Sequence, residues 1–302
     1  MDMRRILLSG VAMTMMMGAA FADTYVVSMK GPASGNPYWA AFEKGALDKG
    51  KELGVEVIVV APPSETDIQA QISQIEDLIA QKVSGIALAP TDPAALGPVV
   101  DQAKEAGIPV VFVDGAGSNE GVPFVGTDNL AGGKLAGEFM CKSLQKGAEV
   151  AILQGVMTTT NGADRYNGAK EALEGCGMKI VSAQPADWDR AKGLAVTESI
   201  LSGNPNLAGI FGSNDNMALG AVEALKAAAK LDKVMVVGYD ANPDAANSIL
   251  AGEMTASIAQ APAKMAGLGI QALVDMKAGK EVPLVTDPGT VLVTKDNAGD
   301  YK

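Results

Sequence analysis

A strand-to-helix unit written twice constrains this chain more than any other feature. From Leu207 to Ala221 the residues LAGIFGSNDNMALGA set an apolar run, Ala208 to Phe211, before Ser213, Asn214 and Asp215. Met217, Leu219, Ala221, Val222 and Leu225 then recur at helical spacing. That is the pattern of a buried strand turning into a helix. From Ile86 the residues IALAPTDPAALG repeat it, and D-x-x-A-L-G at Asp92 to Gly97 matches Asp215 to Gly220 at an offset of 123 positions. The same offset carries Gly45-Ala46 onto Gly168-Ala169 and VEVIVV from Val55 onto MKIVSA from Met178. IPVVFVD ending at Asp114 and VMVVGYD ending at Asp240 also correspond, with a few extra residues in the second connection. Two similar α/β lobes are implied. In an open parallel sheet the strand's carboxyl end and the next helix's amino end share one crevice, so Asn214 and Asp215 are expected at its mouth. One of them suffices as a helix cap.

Taken in order, TYVVSMK from Thr24 predicts a strand, and Asn36-Pro37 opens a helix as cap and first-turn proline. Tyr38 and Trp39 begin that helix. Trp39 shares a helical phase with Phe42, Ala46 and Leu53, which suits the core, yet it stands in the first turn beside the crevice. A strand at Val55, a helix over about 67–82, the strand at Ile86, a helix over about 94–106 and the strand ending at Asp114 follow. This alternation predicts a parallel, doubly wound sheet. A short strand over 122–125 precedes the chain's departure into a helix from Leu130. The second lobe runs from the strand over 149–155 through helices containing Gly168 and spanning 193–201 to MTASIAQ, ending at Gln260. The helix over 263–278 and the extended segment 290–294 have no position left there, so the chain is expected to cross back. The expected division is 23–127 with 261–289 for the first lobe, and 128–260 with 290–302 for the second. Several crossings make a hinge.

Arg4-Arg5, an apolar stretch from Ile6 to Ala20 and the small-x-small site Ala20-Phe21-Ala22 read as a secretory signal peptide over 1–22. The apolar run is shorter than the roughly 20 residues that span a bilayer. The formal charge of −11 argues against a nucleic-acid partner. With no histidine and two cysteines, histidine-based zinc sites and catalytic triads are excluded, and no metal or cofactor is expected. Cys141 and Cys176, near the ends of successive helices, are expected to form a disulfide in an exported protein; two buried thiols are the alternative.

Aromatic residues are scarce: six phenylalanines, five tyrosines and two tryptophans. Both tryptophans, with Tyr38 and Tyr239, fall at strand ends among polar residues. Apolar faces ringed by Asp, Asn, Gln and Arg suit a small polyhydroxylated molecule, whose C–H groups stack while planar polar groups take its hydroxyls. A hydrogen bond to a charged group contributes about 1.5–3 kcal/mol.

These pieces resemble the periplasmic sugar-binding proteins of the ribose-binding type, which feed ABC importers. The resemblance rests on NPYWAAFEKGA at Asn36, DNLAGGKLAG at Asp128, QPADWDRAKGL at Gln184, NDNMALGA at Asn214, VVGYDANPD at Val236 and SIAQAP at Ser257. It implies two flavodoxin-like (Rossmann-like) lobes joined by three crossovers, a sugar or polyol as ligand, a membrane permease as partner and a monomer in the periplasm. Carried across by motif, the first lobe's contacts are Asn36, Tyr38, Trp39 and Asp114, with Lys30 matching a lysine of hexose-binding relatives. The second lobe's are Arg165, Trp188, Asn214 and Asp240, with Gln260 at a crossover. Ribose binders carry an arginine where this chain has Gly115 and an asparagine where it has Ala89. The resemblance therefore implies a hexose, cyclitol or sugar alcohol rather than ribose, with space left beside Gly115.

Rival patterns are weaker. The glycines at 115, 117 and 121 have the wrong spacing for a dinucleotide loop. Ser143 and Lys146 form an S-x-x-K without its companion motifs. Asp114, Asp215 and Asp240 could supply acid–base chemistry, but in this fold they read as hydroxyl acceptors. A transcription factor's ligand-sensing core would need a DNA-binding headpiece where the leader stands. A periplasmic sensor linked to a chemoreceptor remains open at this level.

Overall fold

The computed structural model describes residues 23–302; the expected signal peptide over 1–22 lies outside the described residues. In chain order, β1 (Thr24–Ser28), α1 (Pro37–Leu53), β2 (Glu56–Val60), α2 (Ile68–Gln81), β3 (Gly85–Leu88), α3 (Pro93–Glu105), β4 (Val110–Val113) and β5 (Phe124–Val125) come first. There follow α4 (Asn129–Ser143), β6 (Glu149–Gln154), α5 (Thr160–Gly175), β7 (Lys179–Pro185), α6 (Arg190–Gly203), β8 (Leu207–Gly212), α7 (Asp215–Ala227), β9 (Met235–Asp240), α8 (Pro243–Leu250) and β10 (Ala256–Ala259). The chain ends with α9 (Pro262–Lys277), β11 (Val285–Thr286), β12 (Val291–Val293) and a 3-10 turn, Ala298–Tyr301.

These strands form two six-stranded sheets, ordered β11-β5-β4-β3-β1-β2 and β12-β10-β9-β8-β6-β7. The first is parallel throughout. The second departs from the all-parallel expectation at one edge, where β12 runs antiparallel to β10. β12 enters straight from β11 of the other sheet, with no crossover helix to turn it round. The chain passes between lobes three times: after β5, after β10 and after β11.

Each sheet buries both faces, as strands Val26-Val27 and Ala151-Ile152-Leu153 show by their near-zero exposure. In the first lobe α1 and α9 cover one face and α2 and α3 the other. In the second, α4 and α5 cover one face and α6 to α8 the other.

The internal repeat has a packing cause. A Cβ at Gly45 would lie 2.2 Å from the Ala263 carbonyl oxygen, and one at Gly168 2.1 Å from that of Leu130. Both glycines let the helix after a lobe's first strand press against the helix that follows a crossover, α1 on α9 and α5 on α4. The D-x-x-A-L-G match aligns letters rather than roles. Asp92 caps α3 by accepting from Ala94 N and Ala95 N, whereas α7 is capped one residue earlier, by Asn214 accepting from Met217 N. α8 went unread in the sequence, although Asn242 caps it and Pro243 occupies its first turn, as at Asn36-Pro37.

Cys141 and Cys176 are joined by a disulfide that ties the end of α4 to the end of α5, with Cα atoms 6.2 Å apart. It closes a loop of separation 35 on the outer face of the second lobe. Replacing both cysteines by serine should lower unfolding stability by about 2–4 kcal/mol, measured by urea titration, and leave ligand affinity unchanged. Free thiols in mass spectra of non-reduced exported protein would contradict the bond.

Candidate functional site

The carboxyl ends of the two sheets face each other, and between them lies a small cavity walled by both lobes. The structure brings all ten sequence-proposed residues to its lining: Lys30, Asn36, Tyr38, Trp39, Asp114, Arg165, Trp188, Asn214, Asp240 and Gln260. Glu65 and Asn161 complete it.

The first-lobe wall is built on β1, α1 and β4. Lys30, just beyond β1, is buried with its Nζ donating to Asp114 Oδ2 at 2.7 Å. Asp114 Oδ1 accepts the Tyr38 hydroxyl at 2.6 Å. Burial, reinforced by the Asp114 charge, holds the Tyr38 phenol well above its ordinary value, so it stays a donor. Asn36 caps α1, accepting from Tyr38 N at 3.1 Å. Trp39 resolves its two readings by meeting both. It packs edge-on against Tyr38 and Phe42, with centroids 5.1 and 5.4 Å away, and it lines the cavity, its Nε1 donating to Glu65 Oε1 at 2.6 Å.

The second-lobe wall centres on Arg165 of α5. Its Nε donates to Asn129 Oδ1 at 2.8 Å and its Nη1 to Ser213 O at 2.9 Å, while Asp240 Oδ1 stands 3.5 Å away. The guanidinium lies over the Tyr239 ring at 3.9 Å and near Trp188 at 5.3 Å. Trp188 is set by a left-handed backbone, φ 65°, and its ring occupies the space over Gly155, where a Cβ would come within 2.0 Å of it. Asn214 divides its amide between the α7 cap and a 3.3 Å bond to Trp188 O. Gln260, at the second crossover, donates to Asp240 Oδ1 at 2.7 Å and accepts from Thr127 Oγ1 at 2.8 Å.

Two expectations need correction. Asp215 does not face the crevice: it is fully buried behind it, accepting from Ser257 Oγ at 2.6 Å and Asn242 N at 2.8 Å. As the first residue of α7, its side chain turns inward to join α8 and β10, leaving the mouth to Asn214. Nor is the corner beside Gly115 open. A Cβ there would lie 2.6 Å from Asn161 Oδ1 and 3.0 Å from Lys30 Nζ, so side chains from both lobes already occupy it. Glu65 and Asn161 were missed. Each stands in a polar loop or first turn after a strand's carboxyl end, β2 and β6, which was the available signal.

The cavity thus offers carboxylates, amides, two cations and aromatic faces, a set suited to hydroxyl-bearing molecules. Fold and site together define a two-lobed binder that grips a small molecule between α/β lobes.

A family model described as periplasmic binding protein domain matches residues 26–281. The chain is 40% identical to the D-allose-binding periplasmic protein of Escherichia coli, covering 94% of this chain and 95% of that one. It is 41% identical to the D-ribose/D-allose-binding protein of Pseudomonas aeruginosa, over 81% and 80% of the two chains. The solved structure of an ABC transporter periplasmic solute-binding protein from Actinobacillus succinogenes, with bound D-allose, superposes with a TM-score of 0.87 at 33% identity, covering 92% of this chain and 99% of that one. This chain belongs to the periplasmic binding protein family.

Burial pushes the Asp240 carboxyl from 3.8 up to about 7, against the pull of Arg165 and Gln260. The resulting penalty on the folded state is absent below 3.8, grows between 3.8 and about 7, and is complete above that. Asp240→Asn should therefore lose less stability than wild type between those values. Thermal unfolding of both proteins across that interval is the check, and parallel slopes would exclude the shift.

Proposed function

We propose that this chain is the periplasmic substrate-binding protein of an ABC importer, capturing a hexose or hexose-like polyol by closure of its lobes. The lobes divide as 23–127 with 261–289 and 128–260 with 290–302, and the protein acts as a monomer. It binds without chemistry and has no nucleic-acid partner. Export rests on the signal peptide expected over 1–22, and delivery requires a membrane permease.

The observation that carries the reading is the composition of the cavity wall. Asp114, Lys30 and Asn36 from one lobe, and Arg165, Asn214, Asp240 and Gln260 from the other, offer planar or charged partners to a ring of hydroxyls. Tyr38, Trp39 and Trp188 offer faces for its C–H groups. Contacts from both lobes exist only when the lobes are together, so ligand shifts the population toward closure by that differential affinity. The absence of an arginine after Asp114 favours a hexose over ribose. Lys30 supplies the cation at the corner where ribose binders carry arginine, from β1, two strands away from β4, and with a different reach. Of the relatives, one is named for D-allose and the other for both D-ribose and D-allose.

Calorimetry against D-allose, other hexoses, inositols, sugar alcohols and D-ribose should find a hexose or polyol bound tighter than ribose; submicromolar ribose binding by wild type would refute the ligand class. Trp188→Ala should weaken that ligand at least tenfold, about 1.4 kcal/mol. Because the tryptophans are confined to positions 39 and 188, intrinsic fluorescence should also respond to ligand. Wild-type affinity in Trp188→Ala would make that ring purely a core residue.

A further inference from the structure

Away from the hinge, and among the described residues, one pair of side-chain hydrogen bonds crosses the cleft directly from protein to protein. Asn161, the second residue of α5, reaches out of the second lobe. Its Oδ1 accepts from Lys30 Nζ at 2.6 Å and its Nδ2 donates to the Asp114 carbonyl oxygen at 3.0 Å. The residue is 2% exposed, so both bonds are sheltered from water. α5 holds it in place: Thr159 caps that helix, accepting from Gly162 N at 3.1 Å and donating to Val156 O at 2.7 Å. The landing point exists because residue 115 has no side chain, since a Cβ there would come within 2.6 Å of Asn161 Oδ1.

We propose that Asn161 is an interlobe latch, seated in the gap left by Gly115, that stabilises the closed arrangement for any ligand. This rests on the reading that the lobes close on a small molecule. Its partners are a lysine already paired with Asp114 and a main-chain carbonyl, so its bonds are made between lobes and stand independent of a ligand's stereochemistry. Where an arginine follows the aspartate, that volume is filled from the first lobe itself. Here it is filled from the second, and strength that would have gone into ligand contact goes into closure. The latch acts on all ligands by one factor, because a contact present only in the closed state multiplies the closed population whatever that state contains.

The test uses two variants in the full chain. Asn161→Ala removes both bonds and no hydrogen bond within the second lobe. Gly115→Ala keeps Asn161 but puts a methyl against its Oδ1, at a backbone position outside the left-handed region. Spin labels at Ser64→Cys and Lys192→Cys face each other across the outer cleft, and the native cysteines are bonded and do not react. In protein without added ligand, both variants should lengthen the label-to-label distance. Every sugar or polyol that binds wild type should bind each variant about tenfold more weakly, by a common factor, with faster dissociation and unchanged rank order. Unchanged distances in both variants would overturn the latch, as would a loss confined to some ligands, which would make Asn161 a ligand contact. If no sugar or polyol binds wild type, the proposed function fails, and the ligand-free distances still decide the latch.

Discussion

A cation taken out of water must be met by acceptors, and this cleft buries two, one on each lobe. Lys30 answers to Asp114 and Asn161; Arg165 answers to Asn129, Ser213 and Asp240. Arg165 in particular gathers the ends of β8 and β9 and the first turn of α4 onto one side chain. Its network continues from Asp240 through Gln260 to Thr127, joining two of the three interlobe connections. The electrostatics of the second wall and the geometry of the hinge are thus parts of one hydrogen-bonded chain. An uncharged side chain at 165 would leave Asp240 buried with only Gln260 beside it, and would free the acceptors that fix α4 against the sheet.

The backbone adds a second constraint. Asp114, Trp188 and Asp240 all sit at positive φ, at 62°, 65° and 112°. Non-glycine residues adopt such values at a cost of order 1–3 kcal/mol and keep them only where the surroundings leave no alternative. Each stands at a strand's last residue or within three residues beyond it, and the unusual turn aims the side chain into the cleft instead of along the next helix. Compensation comes from packing: the Trp188 ring over Gly155, Asp114 between Lys30 and Tyr38.

Sequence patterning revealed most of the fold because alternating strands and helices carry strong periodic signals. α2 was expected over about 67–82 and spans Ile68–Gln81, with Asp67 and Lys82 as its caps. What it missed is short or locally weak: the two-residue β11, the eight-residue α8, and the antiparallel sense of β12, which depends on a path between sheets. For the cavity, motif resemblance gathered ten residues that do converge. Asp215 was misplaced because adjacent polar residues at a helix start look alike in sequence, and only packing decides which one turns inward. The corner beside Gly115 was misjudged for a related reason. A glycine announces that its own side chain is absent; it does not announce that Asn161, 46 positions on, will arrive from the other lobe.

The placement of α9 bears on the order in which the molecule assembles. This helix is made after the whole of β6 to β10, yet Met265, Ala266, Ile270 and Leu273 belong to the core that holds Tyr38, Trp39 and Phe42. During vectorial synthesis domains consolidate as their residues emerge. The second lobe has ten of its elements in hand by Ala259 and awaits β12 and the last turn, whereas the first still lacks α9, half of the covering layer on one sheet face. The lobe that begins the chain thus waits for a whole helix made after most of the other lobe, and its α1 face stays apolar and uncovered through a long stretch of translation or translocation. A chaperone that shields nascent chains would find a long-lived target there, on the half of the protein that emerged first.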